Sequence, residues 1–201
     1  MFQRHRTPYV TTRLLFGRSH REAASRSMVC QGFVWCLLVT SLLSFSVFSQ
    51  TRTFTADDLE YVLEFPANAW HSVRRPDVHH HLEFIYGNDP ANGYLRLRKR
   101  IVNAGTTAAE LFAQDEKWQL SLLSGYVACS EGKGSNLEGK LKGTMFSYEY
   151  TDGGVLMEGR IYYLQVDKQT FYSLQFTGAS KKLGLLHAET DSIAQSFRLK
   201  E

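Results

Sequence analysis

The sequence predicts an α+β domain at residues 50–201, with a central antiparallel β-sheet flanked by helices, preceded by a signal peptide at residues 1–49. Two observations support the fold class. Three adjacent strand candidates are joined by short turns, and two other segments have the spacing and end signals of helices. The composition, with 43% apolar and 21% charged residues among 201, excludes a disordered or collagen-like chain.

A long uncharged segment near the N-terminus predicts export. No charged residue lies between Arg26 and Arg52, and the dense apolar part, 33–48, has 16 residues, whereas a membrane-spanning helix needs about 20. Six arginines and one acid precede it, and the small residue Ser49 closes it, which is the order of a secretory signal. We expect cleavage after Ser49 and a secreted or periplasmic protein. A membrane anchor formed by 33–48, an organelle lumen and a true start at Met28 are alternatives.

Removal of this leader changes the charge of the protein. Of 23 basic and 20 acidic residues, 17 and 19 lie in residues 50–201, so the exported chain has a net charge of −2. The basic pI therefore belongs to the leader, which argues against nucleic-acid binding. Cys129 is the one cysteine of residues 50–201. We expect it to be a buried small apolar residue without a disulfide.

The strand candidates form an early hairpin and a later meander. A first strand, Leu59 to Phe65, is ended by Pro66. The hairpin joins Leu82–Tyr86 to Tyr94–Val102 through a turn rich in Gly, Asn and Pro. Because strand side chains alternate, one face of the hairpin is expected to be buried and the other wet. The meander strands are Leu141–Thr151, Val155–Val166 and Thr170–Thr177.

Two helices are predicted from capping and periodicity. Thr107 and Glu110 fit a capping box, and the helix that they begin is expected to reach about Ser124. The carboxylate pair Asp115–Glu116 is assigned to its wet face. Ser180 is expected to cap a last helix that runs to Ala194. The apolar stripe of the first helix comprises Leu111, Trp118, Leu122 and either Phe112 or Asp115.

Four short stretches resemble elements of PsbP-like domains. Tyr61–Trp70 is similar to their early strand, which is followed by a Pro and a Trp. Gly159–Leu164 and Phe171–Leu174 are similar to two of their late strands. Asp191–Phe197 is similar to their terminal helix, which ends at a Ser-Phe pair. The resemblance implies an antiparallel sheet sandwiched by helices and, for most members, a non-enzymatic binding role. Such members include lumenal photosystem II accessory proteins, a nuclear Ran-binding factor and exported bacterial proteins. No functional residue of the family maps onto this chain.

The clearest candidate binding residues are Arg96, Arg98 and Arg100, which alternate along one strand. Their side chains share a face at steps of about 7 Å, which predicts a patch for an anion or an acidic partner. The alternative is a solvated outer face on which Glu83, across the hairpin, forms pairs worth about 0.2–1 kcal/mol.

A second candidate site is a histidine cluster. His79 and His81 share a face of an extended strand, so both can reach one Zn²⁺ or Cu²⁺ ion, with Asp77 and His71 as further ligands. The alternative is an exposed strand entry.

The expected function is that of an exported, monomeric, non-enzymatic binding or accessory protein with a protein partner in the envelope. We expect no cofactor and no nucleic acid, and membrane contact only through an uncleaved leader. A metal- or small-molecule-binding module at His79–His81 and a hydrolase are the alternatives, the latter because catalytic triads are recognised by geometry rather than by sequence order.

Overall fold

The computed structural model describes residues 51–57, 59–66, 68–74, 82–129 and 134–201. The signal peptide and the candidate metal ligands His79 and His81 lie outside these ranges, so both stay predictions. In the described ranges, no helix is long and apolar enough to cross a membrane.

Strands make up nearly half of the described residues. They are β1 Arg52–Phe54, β2 Tyr61–Phe65, β3 Trp70–Arg74, β4 Leu82–Tyr86, β5 Tyr94–Ile101, β6 Val127–Ala128, β7 Ser135–Glu138, β8 Lys142–Asp152, β9 Val155–Gln165, β10 Thr170–Ala179 and β11 Arg198–Leu199. The helices are α1 Ala108–Trp118, α2 Ser180–Leu183 and α3 His187–Ser196, with 3₁₀ turns at Leu120–Leu122 and Gly184–Leu186.

The main sheet is antiparallel throughout, with the order β3-β4-β5-β10-β9-β8-β6, and β7 also pairs with β8. The predicted hairpin β4–β5 and the predicted meander β8–β9–β10 are both present. Gly153 and Gly154 join β8 to β9 with φ of 55° and 80°. Only glycine adopts two such angles at little cost, and this turn matches the twist of the strands. A second sheet, β1-β2-β11, brings the two ends of the domain together.

Each face of the main sheet is covered by its own core. Leu95 and Leu97 of β5 point into the larger core, which includes Leu183 of α2 and Ile193 of α3. Helix α1 covers the opposite face, where its residue Phe112 stacks on Phe146 of β8 with ring centroids 4.4 Å apart. The predicted sheet between helices is therefore confirmed.

Helix α1 begins where predicted but ends earlier. The Thr107 hydroxyl accepts a hydrogen bond from the Glu110 N–H at 3.2 Å, and the Glu110 carboxylate accepts one from the Thr107 N–H at 2.7 Å, so the capping box is confirmed. The helix stops at Trp118 because Gln119 leaves helical geometry, with φ −134° and ψ −52°. Trp118 and Leu122, expected on the apolar stripe, are instead 67% and 79% exposed.

Three other local predictions are wrong. The last helix is split into α2 and α3 by a 3₁₀ turn, and no side chain caps α2, so Ser180 is not its cap. The composition of residues 131–136 predicts a loop, but its last two residues, Ser135 and Asn136, begin β7, which pairs with β8. Cys129 is exposed rather than buried because it follows the short edge strand β6.

Candidate anion-binding site

The arginine row of β5 lies on the face of the sheet that α1 covers. Arg96, Arg98 and Arg100 stand opposite Gln175, Ser173 and Phe171 of β10 in the strand register. All three arginines are half-buried rather than fully wet, and they line a cavity of about 210 Å³. The expectation of a wet face is therefore wrong for this part of the hairpin, because α1 and the turn after it add a layer above the arginines.

Arg100 is paired with a buried carboxylate from α1. Its Nη1 lies 2.7 Å from Oδ1 and 2.6 Å from Oδ2 of Asp115. The hydroxyl of Tyr163 donates to the same Oδ2 at 2.6 Å. Burial raises the pKa of Tyr163, and the charge of Asp115 raises it further, so this hydroxyl stays protonated and acts as the donor. Asp115 is buried, which corrects its assignment to the wet face of the helix.

Arg96, at the other end of the row, contacts a carboxylate from the neighbouring strand. Its Nε lies 3.5 Å from Oε1 of Glu83, which is directly opposite in the β4–β5 register. Its guanidinium carbon lies 5.6 Å from the ring centroid of Tyr94, so the cation also contacts an aromatic face. The pairing expected across the hairpin is present.

Arg98, between the two, has a different environment. Its Nη1 donates to the amide oxygen of Gln119 at 3.4 Å, and its Nε is buried without a hydrogen-bond partner. None of the ion pairs formed within the described ranges includes Arg98. Burial lowers the pKa of Arg98, and the positive charge of Arg96 lowers it further. A negative charge in the cavity would offset both effects, because it favours the charged form of the guanidinium.

The remaining lining of the cavity is neutral except for Lys99, whose ammonium is paired with Glu60. Ser173 and Gln175 of β10 supply a hydroxyl and an amide, and Leu120 supplies an apolar contact. The Gln175 amide donates to the hydroxyl of Tyr148 at 2.7 Å. The cavity therefore combines three guanidiniums with neutral polar groups, which is suited to holding an anion.

The metal hypothesis gains no structural support. His79 and His81 are outside the described ranges, and His71 is exposed on β3. Where the chain is described, no three or more His, Cys, Asp or Glu side chains are grouped to hold a metal ion.

Sequence reasoning found the arginines and the pairing with Glu83 but missed Asp115 and Gln119, which contact Arg100 and Arg98. Asp115 and Gln119 are four apart on the chain, so they lie on one side of the α1 terminus, and this spacing was an available signal. The contact from Asp115 to Tyr163, 48 residues away, leaves no local pattern. It depends on how α1 lies across the sheet.

The fold and the cavity together define a small α+β sandwich protein with a half-buried cationic cavity on one face of its sheet. No protein-family model and no curated protein sequence matches the chain.

Two solved structures are similar in fold. The solution structure of cyanobacterial PsbP (CyanoP) from Synechocystis superposes with a TM-score of 0.55 at 9% identity, covering 78% of this chain and 96% of that one. The crystal structure of the Saccharomyces cerevisiae Ran-binding protein Mog1p gives a TM-score of 0.55 at 6% identity, covering 75% and 96%. The PsbP-like resemblance is thus confirmed as a shared fold. Identities this low transfer no function.

Proposed function

We propose that this protein is an exported, non-enzymatic binding protein that holds an anionic group of its ligand against Arg98. One observation carries the proposal. Arg98 is half-buried at the cavity with an unpartnered Nε, while Arg96 and Arg100 each have a carboxylate. Taking a charge out of water is costly unless the charge is paired, so a bound anion would complete the site.

The carboxylate in the cavity favours binding over acid–base catalysis. Both oxygens of Asp115 already accept hydrogen bonds, from Arg100 and from the hydroxyl of Tyr163. A general base needs a lone pair within reach of the substrate proton. The planar guanidinium of Arg98, by contrast, suits two-point contact with a carboxylate or a phosphate.

Export is supported by the leader. The basic flank, the uncharged segment and the small residue Ser49 favour a secreted or periplasmic protein. An anchor formed by 33–48 and an organelle lumen are the alternatives. N-terminal sequencing of the protein recovered from cells that express the full-length chain distinguishes them. We expect Gln50 as the first residue, and recovery of the uncleaved chain in membranes would contradict export.

Anion binding is tested by nuclear magnetic resonance of the arginine Nε–H groups during titration with sodium acetate, sodium phosphate and sodium sulfate. The Arg98 signal is assigned by its loss in Arg98→Gln, and Arg52→Gln, at an exposed position of β1, is the control. We expect at least one anion to shift the Arg98 signal saturably in the wild type and in the control. The same anion should raise the melting temperature, because ligand binding stabilises the folded state by RT ln(1 + [L]/Kd). An unshifted Arg98 signal with all three anions would refute the proposal.

A further inference from the structure

The charges around the cavity select the kind of anion. Three guanidiniums face two carboxylates, Glu83 and Asp115, which lie within hydrogen-bonding or ion-pairing distance of Arg96 and Arg100. The Lys99 ammonium, which also lines the cavity, is paired with Glu60. One positive charge, that of Arg98, is left over. A single carboxylate balances it, whereas a phosphate dianion would place excess negative charge beside the two carboxylates already present.

The size of the cavity indicates that most of the ligand lies outside it. Sites for whole small molecules usually enclose about 300–1,000 Å³, and this cavity has about 210 Å³. That volume suits a carboxylate with a short aliphatic stem, such as an acidic side chain or a chain terminus. The rest of the ligand must then contact the surface next to the opening.

The surface next to the cavity is apolar and basic. Gln119 and Leu120 line the cavity, and Trp118, directly before them in the chain, and Leu122, two residues after Leu120, are 67% and 79% exposed. Neither of these two side chains is part of the cores. The ammonium of Lys117 lies 4.8 Å from the ring centroid of Trp118. Tryptophan is enriched at the energetic centres of protein interfaces.

We infer that the occupant is an acidic and apolar segment of a partner protein, with one carboxylate against Arg98 and an apolar side chain on Trp118 and Leu122. The inference rests on the proposed function and specifies its ligand. Charge complementarity supports it, since Arg98 and Lys117 would meet the acidic residues of the segment. The tryptophan and leucine supply the apolar area that a carboxylate alone lacks.

The test uses three capped peptides with the purified protein: Gly-Leu-Glu-Leu-Gly, Gly-Leu-Gln-Leu-Gly and Gly-Ser-Glu-Ser-Gly. Resonances of the Arg98 Nε–H and the Trp118 indole N–H are followed during titration. We expect the first peptide to shift both and to bind about tenfold more tightly than the serine peptide. The glutamine peptide should not shift the Arg98 Nε–H resonance.

The variants separate the two parts of the surface. Trp118→Ala and Leu122→Ala should each reduce the preference for the leucine peptide, and since both positions are exposed, both variants should fold. Leu185→Ala, which removes an 83% exposed leucine from the 3₁₀ turn beyond α2, is the matched control and should keep the preference.

Several outcomes would overturn the inference while the proposed function stands. They are an Arg98 signal that responds more strongly to phosphate than to acetate, no preference for the leucine peptide, or a preference that Trp118→Ala leaves intact. Binding of Trp118 to phosphatidylglycerol vesicles but not to the peptides would indicate a membrane instead. A dimer lost in Trp118→Ala would indicate a second copy. An Arg98 signal that responds to no anion and no peptide would refute both proposals.

Discussion

Replacing Asp115 with asparagine tests the buried ion pair on which the cavity depends. Asparagine keeps the shape of the side chain but replaces one oxygen with an NH₂ donor. Oδ1 of Asp115 accepts from Arg100 and from Gln119 at 2.7 and 3.4 Å, and Oδ2 accepts from Arg100 and Tyr163 at 2.6 Å. Whichever way the amide turns, its NH₂ faces a donor, and Arg100 loses its counter-ion.

The expected cost follows from the burial of the two side chains. Breaking a fully buried pair costs about 3–5 kcal/mol, but the Asp115 and Arg100 side chains are 13% and 24% exposed. Water therefore compensates part of the loss. Hydrogen bonds to charged groups contribute about 1.5–3 kcal/mol, so we expect Asp115→Asn to lower the free energy of unfolding by about 2–3 kcal/mol. For a domain of this size, that corresponds to a melting temperature lower by about 5–10 °C.

Urea unfolding at neutral pH measures this loss. The midpoint should fall while the slope m stays unchanged, because the surface exposed on unfolding does not change. Asp152→Asn is the matched control, since Asp152 is exposed at the end of β8, and it should change stability by less than about 0.5 kcal/mol.

A double-mutant cycle with Arg100→Gln then isolates the pair. We expect the double variant to lose less unfolding free energy than the two single variants lose in sum, because each single change leaves one charge unpaired. Strict additivity, or a loss for Asp115→Asn as small as that of the control, would refute the proposed arrangement of the cavity.

Two further predictions concern the packing of the sheet and the effect of pH. Gly159→Ala places a Cβ against the ring of Tyr148 and should cost about 1–3 kcal/mol in urea unfolding, whereas Gly184→Ala, at an open helical position, should be neutral or stabilising; equal effects would contradict the packing. Burial raises the pKa of Glu189 although the Trp70 indole donates to it at 2.8 Å. The contribution of this carboxyl to the free energy of unfolding therefore falls as the pH rises through its pKa in the unfolded chain and then through its raised pKa in the folded protein. Glu189→Gln keeps an acceptor for Trp70 and should melt higher than the wild type at pH 7, with the difference vanishing near pH 3; a difference independent of pH would contradict this.

Local features of the fold were predictable because each depends on residues close together in the chain. The bounds of β4 agree with the prediction, and the meander follows from alternation and from the two-residue turn at Gly153–Gly154. The start of α1 is set by the capping box between Thr107 and Glu110. The arginine row likewise follows from the period of a strand.

The end of α1 was not predictable in this way. The apolar spacing of Trp118 and Leu122 continues the stripe, yet neither side chain packs into a core and both are exposed. A periodic pattern gives the face of a helix but not the extent of the surface that lies opposite to it. Trp118 was therefore assigned to the core, although it lies at the surface on which we propose a partner binds.

The sequence alone determined that three arginines share a face of one strand, since side-chain alternation needs no tertiary information. Only the tertiary structure decided what surrounds them. Asp115 crosses from α1 to Arg100 and Tyr163, and Glu83 reaches Arg96, while Arg98 is left with an amide oxygen. The pairing of a charge depends on distances between separate elements packed in three dimensions, and the spacing of residues along one strand does not contain those distances.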